Sequence, residues 1–433
     1  MLTTGYIEND SRVLRAATSL SDAGFEVLLA SKSTINGEKL PFKVCTIDLP
    51  FGRIYRALRA LFSVSRQFVY RLTRRADTTA NKQNSISETK ILRHQPLPIL
   101  KLKSALYNYL AAQIVKKYQP DIIHAHDFYP LRAAYTAWAK YKIPYVYDSH
   151  ELWLERNRVG RLPDTKITEW EEAEEKRGIK NAAFSITVCR SIAESLKERY
   201  GIPMPLVIRN IPCKKSSAPQ QKAAKDVKAL LGVSPNDFLA VYIGKATFHR
   251  GIFDILRALP SLSEEIKFAV IGYFDPEFLI EYNKEIEILG IKDRVFRYGP
   301  VPPSLLLNTI RGADVSLVTM NAICKSYYFT LPNKLFESII GGLPVIATDL
   351  PEMRALIEKY QCGLLYQDGD SKSLAHAIKT LAKDPLLART LAANSVKAAN
   401  KLDGSLEQAK MVEAYYSIFK PNAAQNGKAK AQL

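Results

Sequence analysis

The chain has 433 residues, enough for two domains of ordinary size, each with its own core. A hydrophobic fraction of 47% beside 24% charged residues indicates a soluble globular protein. With no run of about 18 apolar residues and no basic start leading into an apolar core, neither a transmembrane helix nor a signal peptide is expected. The formal net charge is +18, and it is concentrated: between Phe51 and Pro120 fourteen Lys and Arg face two acids, Asp77 and Glu88, a net of +12. Such a patch suits nucleic acid, anionic lipid or a phosphorylated acceptor. It lacks the interleaved aromatics of a single-strand groove, so nucleic acid is not an expected partner. The five cysteines (Cys45, Cys189, Cys213, Cys324, Cys362) are scattered without metal spacing and read as reduced cytoplasmic thiols.

In chain order, Val13, Leu14, Ala17 and Leu20 recur at helical spacing, which predicts a helix over Asp10–Ala23 closed by Gly24 and a strand over Phe25–Ala30. A nucleotide-binding type of α/β domain opens with a central strand before a glycine such as Gly5, and only Met1 to Thr4 stand there. Either the chain starts several residues earlier or a short strand suffices. Over Arg53–Arg75, Ile54, Leu58, Leu61, Phe62, Val64, Phe68, Val69 and Leu72 fall on one side of a helical wheel, with Arg56, Arg59, Arg66 and Arg74 opposite. That face either packs on the N-terminal sheet or lies in a bilayer interface. Each basic residue near an anionic surface contributes about 1 kcal/mol, which favours the membrane. Residues 76–98 are polar and aperiodic, a predicted mobile loop.

After a predicted helix over Lys101–Tyr118 come two strand-then-loop units, Asp121-Ile122-Ile123-His124-Ala125-His126-Asp127 and Pro144-Tyr145-Val146-Tyr147-Asp148-Ser149-His150-Glu151. Ligands bind at the carboxyl ends of strands in open α/β sheets. Three of the six histidines converge at these ends, which predicts one half of a site. His124, His126 and Asp127 could alternatively hold a metal. The strand Phe184–Val188, helix Ile192–Arg199 and strand Leu206–Ile208 lead to Arg209-Asn210, and Cys213 to about Lys228 reads as a linker.

A second α/β domain begins with the strand Phe238–Ile243. It runs into Gly244-Lys245 and then Arg250-Gly251, a glycine loop with two cations that suits a diphosphate. Strands are predicted at Lys267–Ile271, Val295–Tyr298 and Asp314–Val318, with a helix over Ser304–Arg311. In Leu331-Pro332-Asn333-Lys334-Leu335-Phe336-Glu337, Pro332 can open a helix whose apolar positions are Leu335, Phe336, Ile339 and Ile340. Gly341-Gly342 stops it, and Pro344 leads into the buried strand Val345-Ile346-Ala347. The N–H groups of its first turn, with Lys334 beside them, form a natural anion site, and Glu337 could accept from vicinal sugar hydroxyls. Asp368-Gly369-Asp370 follows the strand Gly363–Tyr366 and precedes a helix, and is read as a turn and helix cap. Helices near Ser371–Ala382, Pro385–Ala399 and Leu406–Phe419 close the chain, and the polar tail from Pro421 is expected to be disordered.

The Pro332–Thr348 stretch, the Gly244–Gly251 loop and the Tyr147–Glu151 strand end resemble glycosyltransferase family 4, as do Asp-Ser-Arg-Val-Leu at 10–14 and Gly24-Phe25-Glu26-Val27. The resemblance runs from Asp10 to the last helix. It implies the GT-B fold, two Rossmann-like α/β domains facing across a cleft, with the last helix crossing back to the first. On that reading residues 1–210 are the acceptor domain, 211–237 the linker, 238–404 the donor domain, 405–420 the returning helix and 421–433 the tail. The implied activity is retaining, metal-independent transfer from a nucleotide-diphosphate sugar to an envelope polysaccharide, lipopolysaccharide or lipid-linked acceptor, with no cofactor. The protein would be cytoplasmic, or peripheral on the inner face of the cytoplasmic membrane through Arg56, Arg59 and Arg66.

The family pattern assigns Lys245 and Arg250 to the departing diphosphate, Gly244, Asn333, Lys334 and Leu335 to the donor, and Glu337 to the ribose. His150 is assigned to the sugar or acceptor hydroxyl, with His126, Asp127 and Glu151 on the acceptor side. Two departures stand out. Where the family has arginine then lysine, this chain has Lys245 then Arg250, and at the position of the family's first glutamate it has Phe329. A nucleotide-sugar epimerase on the same fold, or a non-catalytic membrane-associated partner of another transferase, are the alternative readings.

Overall fold

The computed structural model describes residues 1–5, 7, 10–33, 40–47, 97–158, 164–213 and 226–419. The basic helix expected at 53–75, the loop after it and the tail at 421–433 therefore lie outside the described residues, save Leu97 and Pro98. By internal packing the chain divides into two units, Met1–Asp148 with Arg158–Phe184, and Ser149–Asn157 with Ser185–Leu433.

In the N-terminal half β1 (Leu28–Ser31) pairs in parallel with β2 (Lys43–Thr46), and β3 (Ile123–His126), β4 (Tyr145–Ser149), β5 (Phe184–Thr187) and β6 (Leu206–Val207) form a sheet in that order. The missing first strand is supplied by very few residues. Leu2 bridges in parallel to both Ala30 and Ala125. Its N–H donates to the His124 carbonyl at 2.8 Å and its carbonyl accepts from His126 at 3.0 Å. Those bonds close the ladder between β1 and β3, so a strand of minimal length fills the central position.

The first helix spans Ser11–Asp22, with the Asp10 carboxylate accepting from the Val13 N–H as its cap. The following strand starts later than expected, at Leu28 rather than Phe25, because the Phe25 N–H still donates to the Leu20 carbonyl of the helix end. The helix after the undescribed stretch starts earlier than expected, at Leu97, with Pro98 in its first turn where a missing N–H costs nothing.

The C-terminal sheet holds six parallel strands in the order β12-β11-β10-β7-β8-β9, with β7 at Phe238–Ile243, β8 at Ile266–Ile271, β9 at Val295–Tyr298, β10 at Val315–Val318, β11 at Val345–Thr348 and β12 at Gly363–Tyr366. The inner strands are buried along nearly their whole length, as parallel strands covered on both faces must be. Side-chain alternation sends Tyr242, Phe268 and Val270 to one face with Phe278, Tyr282, Leu374 and Ile378. Leu239, Val241, Ile243, Ala269 and Ile271 go to the other. From β7 the chain winds one way through β8 and β9, then returns beside β7 as β10 and winds the other way. The neighbouring carboxyl ends of β7 and β10 are thus a topological switch point, where open α/β sheets bind ligands.

Pro332 is the cap of the Asn333–Ile340 helix rather than its first residue, with φ −77° and ψ 149°. A short helix, Val227–Leu231, capped by Asp226, stands within the segment expected as linker. The last helix begins at Gly404, whose N–H donates to the Pro212 carbonyl at 3.1 Å. An added Cβ there would meet the Ile211 carbonyl oxygen at 2.2 Å, so only glycine permits the approach. Arg209 pairs with the buried Glu407 of that helix at 2.7 Å. The cysteines form no disulfide. Among the described residues no helix is long and apolar enough to cross a membrane.

Candidate functional site

The glycine loop leaves β7 at Gly244, with φ +98°. It passes Gly272, where a Cβ would lie 2.2 Å from the Gly244 carbonyl oxygen. Close backbone approach thus sets the loop's path. Lys245 is exposed and pairs with Asp275 at 3.6 Å. Exposed pairs of this kind contribute about 0–1 kcal/mol, so the ammonium is easily recruited to another anion. At the far end of the loop Gly251 has φ +69°, and a Cβ there would meet Thr319 Cβ at 2.7 Å and the Met320 nitrogen at 3.1 Å. Its N–H donates to Asn321 Oδ1 at 3.2 Å, and the Thr319 hydroxyl donates to the Arg250 carbonyl at 2.7 Å. The residues after β10 therefore fix Arg250, whose guanidinium lies 5.1 Å from the Tyr327 ring centre and 3.6 Å from the Met320 sulfur.

The Asn333–Ile340 helix starts beside this point. Leu335, Phe336, Ser338 and Ile339 are buried, and Ser338 shares a 2.6 Å hydrogen bond with Ser316 of β10. Lys334 is buried as well, its ammonium nitrogen 3.5 Å from the centre of the Tyr242 ring. The Tyr242 hydroxyl in turn donates to the Lys245 carbonyl at 3.1 Å. Burial, then the Arg250 charge, pushes the Lys334 ammonium well below the usual lysine range, with Glu337 pulling the other way. Arg250 and Glu337 thus both sit within electrostatic reach of Lys334, which lies against β7 at the switch point. Lys334 was expected to stand beside the anion; its burial against Tyr242, and the roles of Tyr327 and Met320 around Arg250, had no signal in the sequence.

Asp368 and Asp370 act as a turn and a cap. Asp370 accepts from the N–H groups of Lys372 and Ser373. Asp368 accepts from the Ala322 N–H at 2.9 Å and from the Asn321 amide at 3.3 Å, while the same amide donates to Asp254 at 2.9 Å. These bonds brace the loop that holds Gly251.

His150 and Glu151 follow β4 and are half-buried. The Ser149 hydroxyl donates to the Glu151 carbonyl at 2.7 Å. The turn Trp153–Glu155 packs beside the Lys325–Tyr328 helix. At Cys324, which caps that helix, burial raises the thiol, the Glu151 charge adds to the effect and Arg250 opposes it. Phe329 ends the same helix, its carbonyl accepting from the Cys189 thiol at 3.2 Å and its ring 5.6 Å from the Lys325 ammonium.

His126 is 1% exposed and stacks on His124 with ring centres 4.1 Å apart. The residue that joins the two imidazoles is Asp148, not Asp127: His124 Nε2 and His126 Nδ1 lie 3.5 and 3.4 Å from its Oδ2. One atom from each of the three falls within 4.8 Å of the others, a grouping that could take a cation. The Arg12 guanidinium already holds that carboxylate, with Nη2 to Oδ1 at 2.7 Å and Nε to Oδ2 at 3.0 Å. A metal would have to displace a fixed positive charge, so the donor set fits a buried ion pair better than a metal. Asp127, expected beside the acceptor, adopts φ 64° and ψ −174°, a region nearly confined to glycine, and its N–H donates to the Asp148 carbonyl at 2.9 Å.

Comparison with known proteins bears on the family and the fold. The family described as Glycosyltransferase Family 4 matches residues 68–210, and the one described as Glycosyl transferases group 1 matches residues 225–400. A Bacillus subtilis glycosyltransferase named for teichuronic acid biosynthesis, TuaC, is 25% identical over 60% of this chain and 60% of its own. D-inositol 3-phosphate glycosyltransferase of Xylanimonas cellulosilytica is 22% identical over 70% of this chain and 73% of its own. Among solved structures, sucrose-phosphate synthase of Thermosynechococcus elongatus superposes with a TM-score of 0.69 at 18% identity, covering 94% of this chain and 92% of that one. Anabaena Alr3699/HepE in complex with UDP gives 0.67 at 16%, covering 96% and 98%. The fold is therefore GT-B, and the chain belongs to glycosyltransferase family 4.

Proposed function

We propose that the protein transfers a sugar, with retention of configuration, from a nucleotide-diphosphate sugar to an envelope polysaccharide, lipopolysaccharide or lipid-linked acceptor. The observation that carries this reading is the grouping of Arg250, Lys334 and Glu337 at the carboxyl ends of β7 and β10. Charge develops on the departing diphosphate, and cations fixed where that charge appears lower the barrier. Arg250 is held in place by Thr319 and Tyr327, and Lys245 can leave its exposed pair with Asp275 to join it. Glu337, one turn into the Asn333–Ile340 helix, would accept from the ribose hydroxyls, while Gly244 and the backbone of Asn333 to Leu335 line the donor. On the acceptor side His150, Asp127 and Glu151 would position the incoming hydroxyl, while His126, buried against Asp148, takes no direct part. The chemistry needs no metal, because fixed cations take the role a divalent ion has elsewhere.

TuaC is named for teichuronic acid, and WaaG, a solved neighbour with a TM-score of 0.62, for lipopolysaccharide biosynthesis. Those names, with the basic stretch between Phe51 and Pro120, support an envelope acceptor and work on the inner face of the membrane, with Arg56, Arg59 and Arg66 as its contacts. Phe329 favours a second reading, a non-catalytic partner, because a ring replaces the carboxylate that the family presents there. Incubation with a panel of nucleotide sugars and lipid-linked acceptors separates the readings. Sugar transfer with release of nucleoside diphosphate is expected. Donor isomerisation without acceptor would indicate an epimerase, and neither reaction, with binding intact, the non-catalytic partner.

A further inference from the structure

We propose that Lys334, in the site formed with Arg250 and Glu337, takes up a proton when a diphosphate enters. This rests on the donor-site reading and adds a titrating group to it.

Lys334 is 9% exposed, and its ammonium nitrogen has no hydrogen-bond partner among the described residues. It lies 3.5 Å from the centre of the Tyr242 ring, in the first turn of the eight-residue Asn333–Ile340 helix. A cation over a ring gains about 0.5–2 kcal/mol. That falls short of the several kcal/mol that a desolvated charge loses when nothing accepts its three hydrogen bonds. The groups facing it are few. β7 offers Tyr242, whose phenol burial keeps neutral. The loop after β7 offers Arg250, a like charge, and the Lys325–Tyr328 helix offers Tyr327, occupied under Arg250. Among the described residues Glu337 on its own helix opposes them, and burial together with Arg250 prevails, lowering the amine well below the lysine range.

An incoming diphosphate reverses each of these terms. Its negative charge offsets Arg250, its oxygens accept from the nitrogen, and the helix N-terminus binds the same anion. The amine then gains a proton from solvent, and no other bond forms or breaks. A lysine that merely filled space against Tyr242 would show no such exchange.

The test is titration calorimetry of the whole protein with UDP, GDP, ADP and dTDP at pH 8.5, where the terminal phosphate is fully ionised, in Tris and in TAPS. The buffers differ in ionisation enthalpy, so the difference in heat counts protons. Net proton uptake on binding is expected for the wild type. In Lys334→Met the uptake should vanish and affinity fall about 10-fold, the scale of one charged contact of about 1.4 kcal/mol. Thermal melting without ligand checks that the variant folds, and if it does not, the wild-type proton count decides alone. Binding with no buffer dependence, or a folded variant with unchanged uptake, overturns the inference while leaving the donor site standing. Failure of all four nucleotides to bind overturns both.

Discussion

Asp148 is the residue on which the N-terminal half leans most heavily. It is 2% exposed, it pairs with a buried arginine from the first helix, and it draws two stacked imidazoles to one oxygen. Taking away one member of a buried pair leaves the other charged and uncompensated, which costs about 3–5 kcal/mol. Asp148→Ala should therefore lower the unfolding free energy measured in urea by that amount, and a change under about 1 kcal/mol would mean that water reaches Arg12. His124 gives the same cluster a pH response. Burial holds its imidazole below the ordinary 6.5, against the pull of Asp148. The unfolded chain thus takes up this proton first, so stability is level above about pH 6.5 and falls as pH drops below it. Urea midpoints between pH 8 and 5 should trace that fall, and His124→Gln should flatten it; an unchanged slope would assign the titration to another group. The sequence showed three histidines at strand ends but not which way they face. His126 lies on the buried side, and its partner Asp148 sits on the neighbouring strand, a distance that spacing cannot encode.

Elements with local signatures were legible. The start of the first helix near Asp10, the Gly341-Gly342 stop and the Val345–Thr348 strand follow from turn chemistry and apolar spacing, and they stand within a residue or two of where those predict. The three-residue bridge at Met1–Thr3 was not legible, because its strand character comes entirely from the two neighbours that bond Leu2. Nor was the burial of Lys334, since a lysine in the first turn of an amphipathic helix ordinarily points to water. The Gly244–Gly251 loop combines both kinds of information. Its glycines announce a phosphate-type turn, while the reason for Gly251 is a contact with Thr319, 68 positions on. An alanine there meets both a left-handed φ of +69° and a 2.7 Å clash. Gly251→Ala should lose about 2 kcal/mol or more and displace Arg250, weakening nucleotide binding at least as much as it weakens the fold. Full stability with unaltered nucleotide affinity would show that the loop adapts freely.

The whole chain is built on two doubly wound sheets. In each, the carboxyl ends of strands beside the switch point carry the polar residues: Asp127 and Asp148 in one half, the Gly244–Gly251 loop and Asn321 in the other. The strand order dictates where a ligand can enter, and the side chains placed there decide what it is. The second half carries the Arg250 guanidinium, the Lys334 amine and the Glu337 carboxylate at that point, a set that suits a nucleoside diphosphate with its ribose. The central claim is therefore that Glu337 and Arg250 grip an activated sugar through its nucleotide. Calorimetry of Glu337→Ala against the wild type, with the nucleotide sugar that supports turnover, tests it most directly. An affinity reduced by about 100-fold is expected, since charge-assisted hydrogen bonds to two hydroxyls are removed. Unchanged affinity in a folded variant would contradict it.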